Sequence, residues 1–132
     1  MKWLKVLPLF VALHATGWIG THLWLGANPR TTLIVADTSF SMKSAFPAMR
    51  RWIDERTEAA RYTRFLVGTD KALIGPLEDL RSSDAIFRTA FGRSSAESLT
   101  RYNAVRADRR VLLSDGGFEA PSGWETVIFE GS

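Results

Sequence analysis

The chain has 132 residues, enough for one domain, with a net charge of +3 and no cysteine. The absence of cysteine excludes disulfide bonds, thiolate metal sites and lipidation at cysteine. Basic residues between positions 50 and 64 alternate with acidic ones at helical spacing. This pattern is typical of a solvated helix face rather than a nucleic-acid interface, so no nucleic-acid partner is expected.

The first element is a nearly uncharged stretch from Val6 to Asn28, long enough to cross a bilayer. Two interpretations are open. One is a retained signal anchor over residues 3–27, and the other is a signal peptide cleaved near Ala15-Thr16-Gly17. The stretch stays apolar beyond that small-residue site, which favours the anchor. We therefore divide the chain into an anchor with its linker, residues 1–29, and a compact domain, residues 30–132.

Two lysines, Lys2 and Lys5, precede the apolar stretch. The positive-inside rule keeps such an amino end in the cytoplasm. This predicts a single-pass protein of the inner (cytoplasmic) membrane whose C-terminal domain lies on the periplasmic or extracytoplasmic side.

The rest of the chain alternates short apolar runs with amphipathic stretches. A helix is expected from Ser44, as N-cap, to Ala60, with Pro47 in its first turn. Further helices are expected from Ser83 and over 97–107, the last burying Leu99, Tyr102 and Val105. Strands are expected at 32–36, 63–67, 72–74 (antiparallel to its predecessor), 110–114 and 126–129. This order predicts an α/β fold with a doubly wound, mostly parallel sheet, its first strand central.

Two apolar runs end abruptly in polar residues. Leu33-Ile34-Val35-Ala36 is followed by Asp37, Ser39 and Ser41, and Val111-Leu112-Leu113 is followed by Ser114-Asp115-Gly116. If both strands are parallel neighbours, Asp37 and Asp115 meet at one edge, where ligands bind in open α/β sheets. Carboxylates with hydroxyls form an all-oxygen set that suits a hard cation such as Mg²⁺. The alternative is a loop of turn-forming residues that cap the next helix.

This pattern of Asp-x-Ser-x-Ser after a first strand and Ser-Asp-Gly after a later one resembles the von Willebrand factor A (VWA) family. The resemblance covers roughly Thr31 to Glu130. That family carries a metal-ion-dependent adhesion site with a further threonine in a middle loop. Ser94 stands where that threonine is expected, with Ser95 as a possible substitute. The resemblance thus implies a metal site formed by Asp37, Ser39, Ser41, Ser94 and Asp115.

The resemblance also implies function. The cation would be Mg²⁺, or another divalent ion such as Mn²⁺ or Ca²⁺, and an Asp or Glu of a partner protein would complete its coordination. In bacteria such modules serve assembly, maturation or adhesion. Members of the family usually continue beyond the fifth strand. We therefore expect a truncated sheet with an exposed edge strand that pairs with a partner or with a second copy. The alternative is an accessory structural subunit of a membrane complex with a degenerate, metal-free site.

An enzyme is not expected. Asp37 at a strand end resembles an aspartyl-phosphate nucleophile, but that chemistry needs a second acid two residues later, where Ser39 stands. Both histidines lie in the apolar stretch, and the sequence has no glycine-rich phosphate loop.

Overall fold

The computed structural model describes residues 2–88 and 95–130. Helix α1 spans Trp3–Ala27. Its length and composition would allow it to cross a membrane, and a signal sequence has the same properties. The elements that follow are β1 Arg30–Ala36, α2 Phe46–Ala59, β2 Thr63–Thr69, β3 Leu73–Pro76, β4 Arg109–Ser114 and β5 Trp124–Ile128. Shorter 3₁₀ helices lie at Phe40–Ala45, Leu77–Asp79, Ser83–Phe87 and Ala96–Ala104.

The five strands form one mixed sheet in the order β3-β2-β1-β4-β5, so β1 is central, as predicted. Strand β1 runs parallel to both β2 and β4, and β4 runs parallel to β5. Strand β3 pairs antiparallel with β2, in agreement with the expected short return strand. The chain therefore has an α/β fold, with parallel carboxyl ends of β1, β2 and β4 at the same edge.

Helical segments cover both faces of the sheet. Successive side chains of a strand point to opposite faces, so β1 contributes residues to the core on each side. On one face, Ile34 and Ala36 of β1 pack with Met49 and Ile53 of α2. On the other face, Leu33 and Val35 pack with Leu99 and Tyr102 from the 3₁₀ helix Ala96–Ala104, together with Leu112 of β4. Strand β1 is thus buried from both sides over Leu33–Ala36, which explains its uninterrupted apolar run.

The helices depart from the sequence-based prediction in their boundaries. Residues 97–107 were expected to be helical, and Ala96–Ala104 forms a 3₁₀ helix. The three apolar residues expected on its buried side are spaced by three, which matches the three residues per turn of a 3₁₀ helix. Helix α2 begins at Phe46 rather than after a Ser44 cap, since Phe40–Ala45 forms its own 3₁₀ turns. Pro47 lies in the first turn of α2, as expected.

Gly68 and Tyr102 fix the 3₁₀ helix Ala96–Ala104 against the end of β2. The buried Tyr102 hydroxyl donates a hydrogen bond to the Thr69 carbonyl. A Cβ atom at Gly68 would lie only 2.9 Å from Cζ of Tyr102 and would collide with its hydroxyl. Glycine at position 68 therefore allows the aromatic ring to pack directly on the β2 backbone.

Candidate functional site

The two predicted acids are brought together by pairing between β1 and β4. Ala36, the last residue of β1, is in register with Leu113 of β4. The backbone N–H of Asp37 then donates to the Leu113 carbonyl at 2.8 Å, which extends the pairing one residue beyond the end of β1. This bond fixes the backbone of Asp37 beside Ser114 and Asp115.

The hydroxyl of Ser114 lies between the two carboxylates. Its Oγ is 3.1 Å from Oδ2 of Asp37 and 3.4 Å from Oδ1 of Asp115. A serine hydroxyl has one proton, so it donates to only one carboxylate at a time. Asp37 is 3% exposed, whereas Asp115 is open to solvent. Asp37 is therefore buried, whereas Asp115 faces the solvent.

The hydroxyls of the first motif lie in the loop after β1. Oγ of Ser39 is 3.3 Å from Oγ of Ser41, and the Ser39 N–H donates to Oδ1 of Asp37 at 2.9 Å. Ser39 is the N-cap residue of the 3₁₀ helix Phe40–Ala45, yet its side chain makes no capping hydrogen bond. The role of helix cap, which was the structural alternative for these serines, is thus not taken by the Ser39 side chain.

The predicted third loop of the site contains Ser94 and Ser95. Ser94 lies outside the described residues. Ser95, considered as its substitute, instead caps the 3₁₀ helix Ala96–Ala104 in a reciprocal arrangement with Ser98, with Oγ of Ser95 accepting from the Ser98 N–H at 3.4 Å.

A further carboxylate at this edge was not identified from sequence. Asp70 follows β2 directly and is 2% exposed. Its Oδ1 accepts the N–H of Thr38 at 3.0 Å and the Thr38 hydroxyl at 2.6 Å, and its Oδ2 pairs with Lys71. The available signal was a third apolar run, Phe65-Leu66-Val67, followed closely by an acid.

An exposed aromatic ring also lies beside the site. Phe40, between Ser39 and Ser41, is 69% exposed, and Nζ of Lys43 lies 6.0 Å from its ring centroid. The Phe40 ring is therefore accessible to solvent beside the loop that carries Ser39 and Ser41.

The donor chemistry at this edge fits a hard cation. Asp37 and Asp115 form no ion pair with a lysine or arginine in the described residues, whereas Asp70 is neutralised by Lys71. Across 2–88 and 95–130, no three histidine or acidic side chains converge as a metal cluster. A cation here would therefore be held by two carboxylates with hydroxyls and water, a set that suits Mg²⁺.

Compared with known proteins, the chain matches no family model, no curated protein and no solved structure.

Proposed function

We propose that the chain is a membrane-anchored VWA-like module, with a doubly wound sheet of that type, which binds a partner protein through a Mg²⁺-type site. The single observation that carries this proposal is the approach of Asp37 and Asp115 to one serine hydroxyl at the carboxyl edge of the sheet. Two like charges that share one neutral donor are stabilised by a divalent cation. The order and direction of β1, β2, β4 and β5 support the VWA-like assignment.

In this proposal Asp37, Ser39, Ser41 and Asp115 hold the cation, with Ser94 as the hydroxyl of the middle loop. Mn²⁺ or Ca²⁺ would serve the same donor set. Mg²⁺ retains several waters when few protein oxygens bind it. A carboxylate from a partner protein replaces one of these waters, so the interaction is acid-selective. The chain performs no catalysis in this role.

The proposed site would lie away from the anchor. Helix α1 leads through Asn28 and Pro29 into the amino end of β1, whereas the site follows its carboxyl end. A strand of seven residues spans roughly 20 Å at about 3.3 Å per residue. With α1 retained in the inner membrane and the domain on the periplasmic side, the site is presented to partners beyond the headgroup layer.

Calorimetry on the full chain in detergent tests the metal site. Wild type is expected to bind Mg²⁺, and Asp37→Ala is expected to abolish binding because it removes the buried carboxylate. Asp79→Ala is the matched control, since Asp79 is an exposed acid in the 3₁₀ helix Leu77–Asp79. Equal Mg²⁺ binding by wild type and Asp37→Ala would refute the metal site.

A second candidate function is an accessory structural subunit of a membrane complex with a metal-free site. It is favoured by the hydrogen bonds that the carboxylates already accept, from the Ser39 N–H at 2.9 Å and from the Gly117 N–H at 2.8 Å. In that case a partner or a second copy would pair along an outer strand, β3 or β5. Recovery of a partner from membranes with the intact chain, with and without EDTA, separates the two functions. Recovery that persists in EDTA favours the structural role.

A further inference from the structure

We infer that Arg30, Arg61 and Arg106 form a binding surface for the phosphates of anionic phospholipid headgroups. This surface, called here the arginine edge, lies at the opposite end of the sheet from the carboxylates. The inference rests on the anchoring part of the proposed function and is independent of the metal site.

The topology places these arginines at the edge nearest the anchor. Arg30 begins β1 and is in register with Thr63, the first residue of β2, so Arg61 lies at the same edge. Strand β4 begins at Arg109, opposite Thr32 of β1, and Arg106 precedes it in the same connection. Because α1 ends at Ala27, a membrane that contains α1 brings this edge next to its headgroups.

The three arginines line one cavity together with the end of α1. The cavity has a volume of about 1040 Å³, and its lining also includes Trp24 and Tyr62. All three arginines are exposed, and none takes part in an ion pair within the described residues. Among the described residues of the lining, the one acid is Asp108, whose Oδ2 already accepts the Thr31 N–H at 2.8 Å. The cavity therefore carries an excess of positive charge.

The side chains match a lipid headgroup better than a free anion. A guanidinium presents a planar fork of donors that binds two phosphate oxygens at once. Trp24 lies in the last turn of α1, and amphipathic rings such as tryptophan and tyrosine favour the membrane interface. Tyr62 also contacts His22 of α1, with ring centroids 5.1 Å apart. A phosphodiester with its acyl chains along α1 would use both the cations and the rings.

Lipid retention by the full chain in nonionic detergent, measured by native mass spectrometry, tests this inference. The probes are phosphatidylglycerol and phosphatidylcholine in mixed micelles. Wild type is expected to retain phosphatidylglycerol preferentially. The triple variant Arg30→Gln/Arg61→Gln/Arg106→Gln is expected to lose this preference by a factor on the order of a hundred, since each arginine near an anionic surface contributes about fivefold.

The matched control is Arg51→Gln/Arg88→Gln/Arg101→Gln. It removes the same charge from exposed arginines that form no ion pair in the described part of the chain. The control is expected to behave as wild type, and circular dichroism verifies that both triple variants are folded. An equal loss of preference in both would overturn the inference, because only net charge would matter.

Two further results would also overturn it. Displacement of phosphatidylglycerol by millimolar inorganic phosphate would assign the arginine edge to a free anion instead. If the mass of the mature protein showed that α1 had been cleaved off, the arginine edge would not be held next to the membrane. Repeating the measurement with Asp37→Ala in EDTA separates the two proposals, because lipid preference is expected to persist after the proposed metal site has been removed.

Discussion

Thr38 donates both its backbone N–H and its hydroxyl to Oδ1 of Asp70, at 3.0 and 2.6 Å, in a buried contact between the loop after β1 and the end of β2. Asp70 is itself fixed by its own N–H, which donates to the Ala36 carbonyl at 3.2 Å. The loop that carries the proposed ligands is thus held by a neighbouring strand. We therefore expect Asp70 to act as a positioning residue for Asp37 and Ser39.

Substitution of Asp70 by alanine is expected to lower the free energy of unfolding by about 3 kcal/mol, because two buried donors of Thr38 lose a charged acceptor. Asp70→Asn keeps one acceptor oxygen and should cost less. Thermal unfolding of the full chain in detergent measures both, with the exposed Asp79→Ala as control. If Asp70→Ala were no less stable than Asp79→Ala, the positioning role would be wrong.

The Ser114 hydroxyl lies within hydrogen-bond distance of the carboxylates of both Asp37 and Asp115. Its removal is therefore expected to lower the stability of the protein most when no metal is bound. Ser114→Ala is expected to lower stability by about 1 kcal/mol in EDTA, since one donor to a carboxylate is lost. Saturating Mg²⁺ is expected to recover much of this loss by neutralising both acids. The measurement is the melting temperature of the full chain with and without Mg²⁺, and Ser44→Ala, an exposed serine, is the control. An identical loss in both conditions would contradict a cation at this site.

The buried phenol of Tyr102 is expected to make the protein less stable at alkaline pH. Burial raises the pKa of Tyr102 from 10.0 to about 12. Between these values the unfolded chain releases the phenolic proton while the folded chain retains it. The stabilisation is therefore complete below pH 10 and is lost as the pH rises to 12, by about 2 to 3 kcal/mol in total.

Unfolding of the full chain at pH 9 and pH 11 measures this contribution. Tyr102→Phe is the control, because it has no phenolic proton. At pH 9 that variant should be less stable by about 1 kcal/mol, through loss of the hydrogen bond to the Thr69 carbonyl. Parallel declines of wild type and Tyr102→Phe between pH 9 and 11 would show that other groups dominate.

Phe40 is expected to contribute to partner binding without affecting the metal. Its exposed ring makes little contact with the core, so Phe40→Ser should leave both stability and Mg²⁺ affinity unchanged. Partner recovery from membranes in Mg²⁺ is expected to fall at least tenfold, as for truncation of an aromatic anchor at an interface. Arg51→Ser, at an exposed position of α2, is the control. Recovery equal to that of Arg51→Ser would exclude Phe40 from the interface.

The apolar runs of β1 and β4 and the polar residues after them were readable from sequence, because burial on both faces leaves a continuous apolar segment. Their positions, together with the right-handed crossover rule, were sufficient to predict a central β1 next to parallel strands. The sequence did not indicate the type of the helix at 96–104, although its residues Leu99 and Tyr102 were correctly expected to be buried.

By itself, the sequence determined the apolar amino-terminal segment and the apolar runs that end at Asp37 and Asp115, since these follow from local hydrophobic patterns. The approach of the two acids was predicted only on the condition that their strands are parallel neighbours. Only the tertiary structure decided that Asp70 holds Thr38 and that three arginines share the edge next to α1. Thr38 and Asp70 are 32 positions apart, and the apolar run before Asp70 does not indicate that Thr38 is its partner. Such contacts arise from the register and order of the strands, which bring residues together regardless of their separation in the chain.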